Sequence, residues 1–292
     1  MDFFLAILLG VLQGLLEFLP VSSSGHLVIL ERLSSYGIPA LTFHVFLHAG
    51  TMAAIIITLR HDAAKIAAES FRRNSGLFSA LGSILNRGGE KRPASYQKTA
   101  KTNYSRLSSM IGTAMIPTAA VGLILRRSAV QASGSLFFTG IGFLVTGIFL
   151  LVTDKVAPGS TVPRDVPLQF AWLFGLINGI AVLPGVSSTA VILCAGIFAG
   201  FNRKTAIRFT FLLSVPTVAA ALLLELAAGI RGGIFTPHVL GCCLLGMLAA
   251  AVSGTLAMNT FVRLLRRSRF IHFAYYCFAA GTAAVMIGYY LP

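Results

Sequence analysis

The 292-residue chain is 56% hydrophobic and only 11% charged, with a formal net charge of +14. Soluble domains carry about 25% charged residues, so this composition excludes a water-soluble globular enzyme. Abundant Leu, Ile, Val and Phe exclude disorder as well, and the apolar content suffices for at most about eight spans of about 20 residues.

Segment 3–19 is apolar yet carries Gln13 and Glu17. It has no basic n-region and no small-residue cleavage pattern, so it is expected to stay in the mature protein. A polar break over 20–25 follows, then a short apolar stretch over 26–30. Neither half is long enough to cross a bilayer, and a re-entrant hairpin is expected over 3–33. Segment 41–59 reads as a span. Residues 60–106 are polar and basic, with Gly88-Gly89 and Pro93 marking irregular structure, and read as a cytoplasmic loop. Spans follow at 107–125 and 134–153. After a loop with Pro158, Pro163 and Pro167, a second broken pair occupies 168–200, interrupted at Pro184-Gly185. Spans at 207–229, 237–258 and 270–291 complete the chain. The four cysteines lie in apolar runs with no metal or disulfide spacing, and read as small lipid-embedded hydrophobes.

Each half, 1–153 and 154–292, is thus a broken pair followed by three spans. The broken pairs match in sequence: Gly10-Val11-Leu12-Gln13-Gly14 against Gly175-Leu176-Ile177-Asn178-Gly179. Eight residues after the second Gly, each reaches a Ser-Ser pair, Ser22-Ser23 and Ser187-Ser188. Three crossings per half is an odd number, so the second half is expected to be inverted in the membrane. The expected fold is therefore an all-α integral membrane protein of two inverted-topology repeats, each a re-entrant helical hairpin plus three transmembrane helices.

Charge placement agrees with this topology. With the 60–106 loop inside, 19 of the 23 Lys and Arg fall inside. Arg32, Arg126, Arg127 and Arg231 fall outside, a split that follows the positive-inside rule. No aromatic residues interleave with the basic groups, so no nucleic-acid partner is expected. Non-helical backbone at membrane depth survives only against protein or a watery cavity. The two Ser-rich loops are therefore expected to meet around a polar pocket.

A carboxylate within an apolar stretch costs about 2.5–3.5 kcal/mol at mid-bilayer on insertion scales, so Glu17 is expected to face a cavity or partner. Gln13 lies four residues away on the same helical face. Ser22, Ser23, Ser24, Gly25 and His26 then bring three hydroxyls, a flexible residue and an imidazole together. A hydroxyl near a His and a carboxylate is a recipe for an activated nucleophile, with His26 as base, acid or electrostatic partner. The loop amides also suit a phosphate, and small residues equally permit close helix packing. Gly185, Ser187 and Ser188 offer amides and hydroxyls without charge. His44 and His48 share a helical face, and two His alone do not make a metal site. Glu225, within a span, is a candidate partner for an Arg. Arg203 and Arg208 are expected at the inner membrane surface.

The stretch from Gln13 to His26, read as QGLLEFLPVSSSGH, resembles the first signature of the bacterial undecaprenyl-diphosphatase, or bacitracin-resistance, family. Residues 184–189 with Gly196, Arg203, Arg208 and the stretch from Phe211 to Pro216 resemble the second. The likeness covers nearly the whole chain apart from 60–106. It implies hydrolysis of undecaprenyl diphosphate to undecaprenyl phosphate and inorganic phosphate at the bacterial inner membrane, in a multi-pass protein with an outward-facing pocket. It implies Glu17, Ser23 and His26 as catalytic residues. Ser22, Ser24, Gly25, Gly185, Ser187, Ser188, Arg203 and Arg208 become candidate substrate contacts. Gln13 and Glu17 become candidate ligands of a divalent cation, Mg2+ or Ca2+. The implied partners are the lipid substrate and membrane lipid, with a homodimer left open. One departure stands out: the family pattern leads to Arg where this chain has Ser188. A bidentate guanidinium is hard to replace by a hydroxyl, and losing such a donor costs about 10² to 10³ in rate. His48, Arg203 and Arg208 are candidate replacements. The competing readings are a polyprenyl-phosphate flippase and a catalytically silent lipid-phosphate binder.

Overall fold

The computed structural model describes residues 2–34, 40–85, 103–157 and 159–290. Among these the protein is all-helical. The one β-type contact is an isolated bridge between Thr161 and Phe201. Six helices are long and apolar enough to cross a membrane: α3 (Ala40–Thr58), α5 (Asn103–Ser133), α6 (Leu136–Asp154), α9 (Arg203–Arg231), α10 (Pro237–Arg267) and α11 (Phe270–Tyr290). Exposed Leu, Ile, Phe and Val are spread along them, as expected where lipid rather than water is the surrounding solvent. The chain is a multi-pass membrane protein.

Shorter helices pair around breaks. α1 (Phe3–Leu16) is followed by α2 (Ser23–Ser34), and α7 (Gln169–Ile180) by α8 (Ser188–Phe198). At 1.5 Å per residue none of the four spans the roughly 30 Å hydrocarbon core. The third notable element is α4 (Arg60–Leu85), a 26-residue helix in the region read from sequence as a basic loop. It is amphipathic enough to bury Asp62 and Ile66 against the bundle. Ser70 and Ser108 hydroxyls meet at 2.8 Å, and the Tyr104 hydroxyl donates to Asp62 at 2.7 Å. Gly88-Gly89 and Pro93 lie outside the described residues.

Each broken pair packs its first helix on a long one. α1 lies on α10 and α7 lies on α5, while α6 packs on α11 and α3 on α9. Small residues permit the first two contacts. A Cβ at Gly14 would stand 2.6 Å from the Ala250 carbonyl oxygen, and one at Gly175 would stand 2.1 Å from that of Ala114. Backbones approach this closely only over glycine, the usual device for helix association in lipid.

The basic segments gather at one end of the bundle. Arg269 meets Asp154 at 3.0 Å, and Arg208 meets Asp62 at 3.5 Å. Arg203 donates to the Ser268 carbonyl at 2.8 Å and stacks over Phe270. Arg106 donates to the Val166 carbonyl. These contacts join the C-terminal ends of α6 and α10 to the N-terminal ends of α4, α5, α9 and α11. The opposite end holds the short α5–α6 connection and the α9–α10 turn.

Candidate functional site

Both helix breaks end in a serine that caps the helix after it. Ser22 precedes α2, and its hydroxyl accepts from the Gly25 amide at 3.2 Å. Ser187 precedes α8, and its hydroxyl accepts from the Ala190 amide at 3.1 Å. Serine is favoured here because its oxygen satisfies one of the first-turn amides that have no intrahelical acceptor. Ser23 and Ser188 are therefore equivalent, each the first residue of its helix. Ser22 has φ 62°, a conformation that costs a non-glycine residue about 1–2 kcal/mol. The loops touch one another. A Cβ on Gly25 would stand 3.0 Å from the Gly185 Cα, and Gly185 itself has φ 86°. The Thr189 hydroxyl donates to the Glu17 carbonyl at 3.1 Å.

A cavity of about 330 Å³ lies against both loops. It is lined by Ser22, Ser23 and Ser24 from one side and Ser187, Ser188 and Thr189 from the other. Glu17 also lines it and is 7% exposed. Its Oε2 accepts from Ser23 Oγ at 2.6 Å and from Gln13 Nε2 at 2.8 Å. His48 Nδ1 stands 3.3 Å from the same oxygen and 2.9 Å from Gln13 Nε2. A buried carboxylate is thus held in one orientation with a hydroxyl hydrogen-bonded to it, an arrangement able to activate that hydroxyl.

The structure brings Gln13, Glu17, Ser22, Ser23, Ser24, Gly25, Gly185, Ser187 and Ser188 together. It does not bring His26, Arg203 or Arg208 into the cavity lining. His26 turns towards α6 and α11. Its Nδ1 meets the Ser22 carbonyl at 2.7 Å and its Nε2 the Tyr276 hydroxyl at 2.5 Å. Since a carbonyl only accepts, Nδ1 carries the proton, and in the neutral ring Nε2 accepts from Tyr276. Arg203 and Arg208 belong to the basic end described above. His48, in contrast, takes a place beside Glu17 that the motif alone did not assign to it. The available signal was a polar residue inside an otherwise apolar span. His44, one turn earlier, lines the same cavity.

The oxygen donors bear on a cation. Gln13 Oε1 is buried with no hydrogen-bond partner, beside the Glu17 carboxylate. Mg2+ is commonly held by one or two carboxylates plus substrate phosphates and water. The pair therefore fits a divalent cation whose remaining ligands come from outside the protein. No group of three His, Cys, Asp or Glu suited to a fully caged metal is found among the described residues.

The model of the bacitracin resistance protein BacA family matches residues 6–283. This chain belongs to that family. Relatives named undecaprenyl-diphosphatase include one from Desulforapulum autotrophicum, 34% identical over 290 residues and 99% of both chains. Another, from Desulfosudis oleivorans, is 35% identical over 97% of both. A third, from Korarchaeum cryptofilum, is 33% identical over 97% of this chain and 98% of the relative. The bacitracin resistance family match thus runs from within α1 to within α11. Ser188, where the resemblance implies Arg, sits in the cavity lining at the head of α8.

Proposed function

We propose that the chain is an undecaprenyl-diphosphatase that releases inorganic phosphate and recycles undecaprenyl phosphate. The observation that carries this reading is the 2.6 Å hydrogen bond from Ser23 Oγ to Glu17 Oε2, at a helix N-terminus, inside a cavity. Glu17 takes the Ser23 proton as Oγ attacks the terminal phosphorus. The bond from that phosphorus to the bridging oxygen breaks, and its electron pair leaves with undecaprenyl phosphate. Water then displaces phosphate from Ser23, Glu17 returns the proton to Oγ, and the proton lost by water leaves with the phosphate.

Charge builds on the phosphoryl oxygens in both steps and must meet fixed donors. The first-turn amides at Ser23, Ser24, Ser188 and Thr189 lack intrahelical acceptors and sit at the positive ends of α2 and α8. Gln13 and His48 keep the Glu17 carboxylate in register with Ser23. His26 acts through Ser22, holding its carbonyl so that the strained residue stays in the loop. A divalent cation bound by Glu17 and Gln13 Oε1 would neutralise part of the diphosphate charge.

The topology belongs to the same proposal. The hairpins α1–α2 and α7–α8 dip in from opposite sides, in repeats over 1–153 and 154–292. The matched α1–α10 and α7–α5 contacts support this arrangement. The basic end faces the cytoplasm, and the cavity opens outward at the bacterial inner membrane. The test is phosphate release from undecaprenyl diphosphate by the purified protein in detergent, with and without EDTA and added Mg2+ or Ca2+. Turnover lost in Glu17→Gln and Ser23→Ala is the expected result. An inert wild type would favour the silent-binder or flippase reading, to which Ser188 points. Leaflet transfer in liposomes then separates those two.

A further inference from the structure

The cavity holds a second polar site that Ser23 chemistry does not use. Glu225, in α9, is a carboxylate whose side chain is 8% exposed. Arg126, in α5, donates to its Oε1 at 2.5 Å. The Thr42 hydroxyl, from α3, donates to Oε2 at 3.4 Å. Arg126 and Glu225 line the same cavity as Glu17 and Ser23. Among the described lining residues Arg126 is the one Lys or Arg, and its side chain is 45% exposed.

Its position follows from helix register. The Asn178 amide donates to Thr118 of α5 at 3.4 Å and to Thr217 of α9 at 3.1 Å. Eight residues further along each helix, Arg126 meets Glu225. The two helices therefore run in the same direction here. The ion pair lies about 12 Å from Asn178 along the axis, towards the end away from the basic clusters. In the proposed topology that end is the mouth through which a lipid diphosphate arrives. A guanidinium has five donors, and one bond to Glu225 leaves others to face the cavity.

We propose that Arg126 is the anion-capture residue of this cavity, oriented by Glu225, and that it binds the diphosphate headgroup of the lipid substrate at the mouth. This rests on the phosphatase reading for the identity of the substrate. Phosphate is a preferred partner of a fork-shaped cation. Arg126 supplies positive charge in a cavity where Ser188 supplies none. A plain structural staple between α5 and α9 is the competing account, and the two differ in sign at Glu225. Removing its negative charge weakens a staple and strengthens anion capture, because Gln can still accept from Arg126.

The test is a titration of the full-length protein in detergent with a farnesyl methylene-bisphosphonate, whose P–C–P bridge cannot be hydrolysed, and with farnesol as the phosphate-free control. Arg126→Gln is expected to weaken bisphosphonate binding about tenfold or more and to leave farnesol unchanged. Glu225→Gln is expected to tighten bisphosphonate binding about threefold or more, and Arg126→Lys to fall between wild type and Arg126→Gln. Equal losses for both ligands, no effect of Arg126→Gln, or weakening in Glu225→Gln would overturn the proposal. Should Arg126→Gln not fold, the directions seen in Arg126→Lys and Glu225→Gln decide alone. Binding needs no turnover. A wild type that binds through Arg126 but releases no phosphate would sink the phosphatase reading and leave the capture site standing.

Discussion

The two helix breaks share one capping device and differ in chemistry. Ser22 and Ser187 cap their helices through the same third-residue amide, and Ser23 and Ser188 head them. Around the first break stand Gln13, Glu17 and His26. At the corresponding distances before and after the second stand Asn178, Val182 and Val191. Asn178 ties α7 to α5 and α9 through threonine hydroxyls, whereas Gln13 braces a carboxylate. One hairpin thus carries a buried carboxylate hydrogen-bonded to a serine hydroxyl, and the other carries amides, hydroxyls and packing. Two serine-capped helix N-termini thus border one cavity, and the side chains around the first make it asymmetric.

Serine replacements probe that asymmetry most strongly. Ser23→Ala should lower phosphate release about 10⁴-fold or more, as when a covalent nucleophile is removed, whereas Ser188→Ala should stay within about threefold of wild type. Equal losses would show that the hairpins share the chemistry. Glu17→Gln keeps the shape and removes the base, so kcat should fall about 10² to 10⁴-fold while Val182→Ala leaves it near wild type. Ser188→Arg adds to the second hairpin the charge it lacks and should raise kcat/KM about 10²-fold. A change under about threefold in that assay would mean that charge is supplied adequately elsewhere.

Stability effects are smaller and should be shared by both copies. Gly14→Ala and Gly175→Ala each push a methyl into a neighbouring backbone and should cost about 1–3 kcal/mol. Thermal unfolding in detergent reads the difference. Ser187→Ala should cost about 1 kcal/mol through its lost cap. Ser22→Ala should cost a similar amount in unfolding and additionally lower phosphate release, because its loop carries Ser23. A release rate unchanged in Ser22→Ala would detach the cap from the chemistry.

Much of this molecule is legible in one dimension. Apolar length marks the spans, since lipid admits only helices whose backbone bonds are internal. Gln13, Glu17 and Ser23 fall close together because a carboxylate one turn after an amide, and six residues before a hydroxyl, needs only a tight loop to meet it. The helix α4 was hidden because its sequence is rich in polar and basic residues, so composition spoke louder than periodicity. His26 shows the limit of local reading. It stands three residues after Ser23, yet its ring points to Tyr276, some 250 positions away.

The chain on its own determined that there would be long apolar helices, two serine breaks and a buried acid, because each depends on neighbours within a few residues. Only the tertiary structure decided that His48 stands beside Glu17, that Thr189 crosses from the second hairpin to the first, and that Arg126 finds Glu225. Those pairings join helices distant in sequence. They depend on the azimuth of each helix about its own axis, which is set by packing against its partners rather than by local pattern.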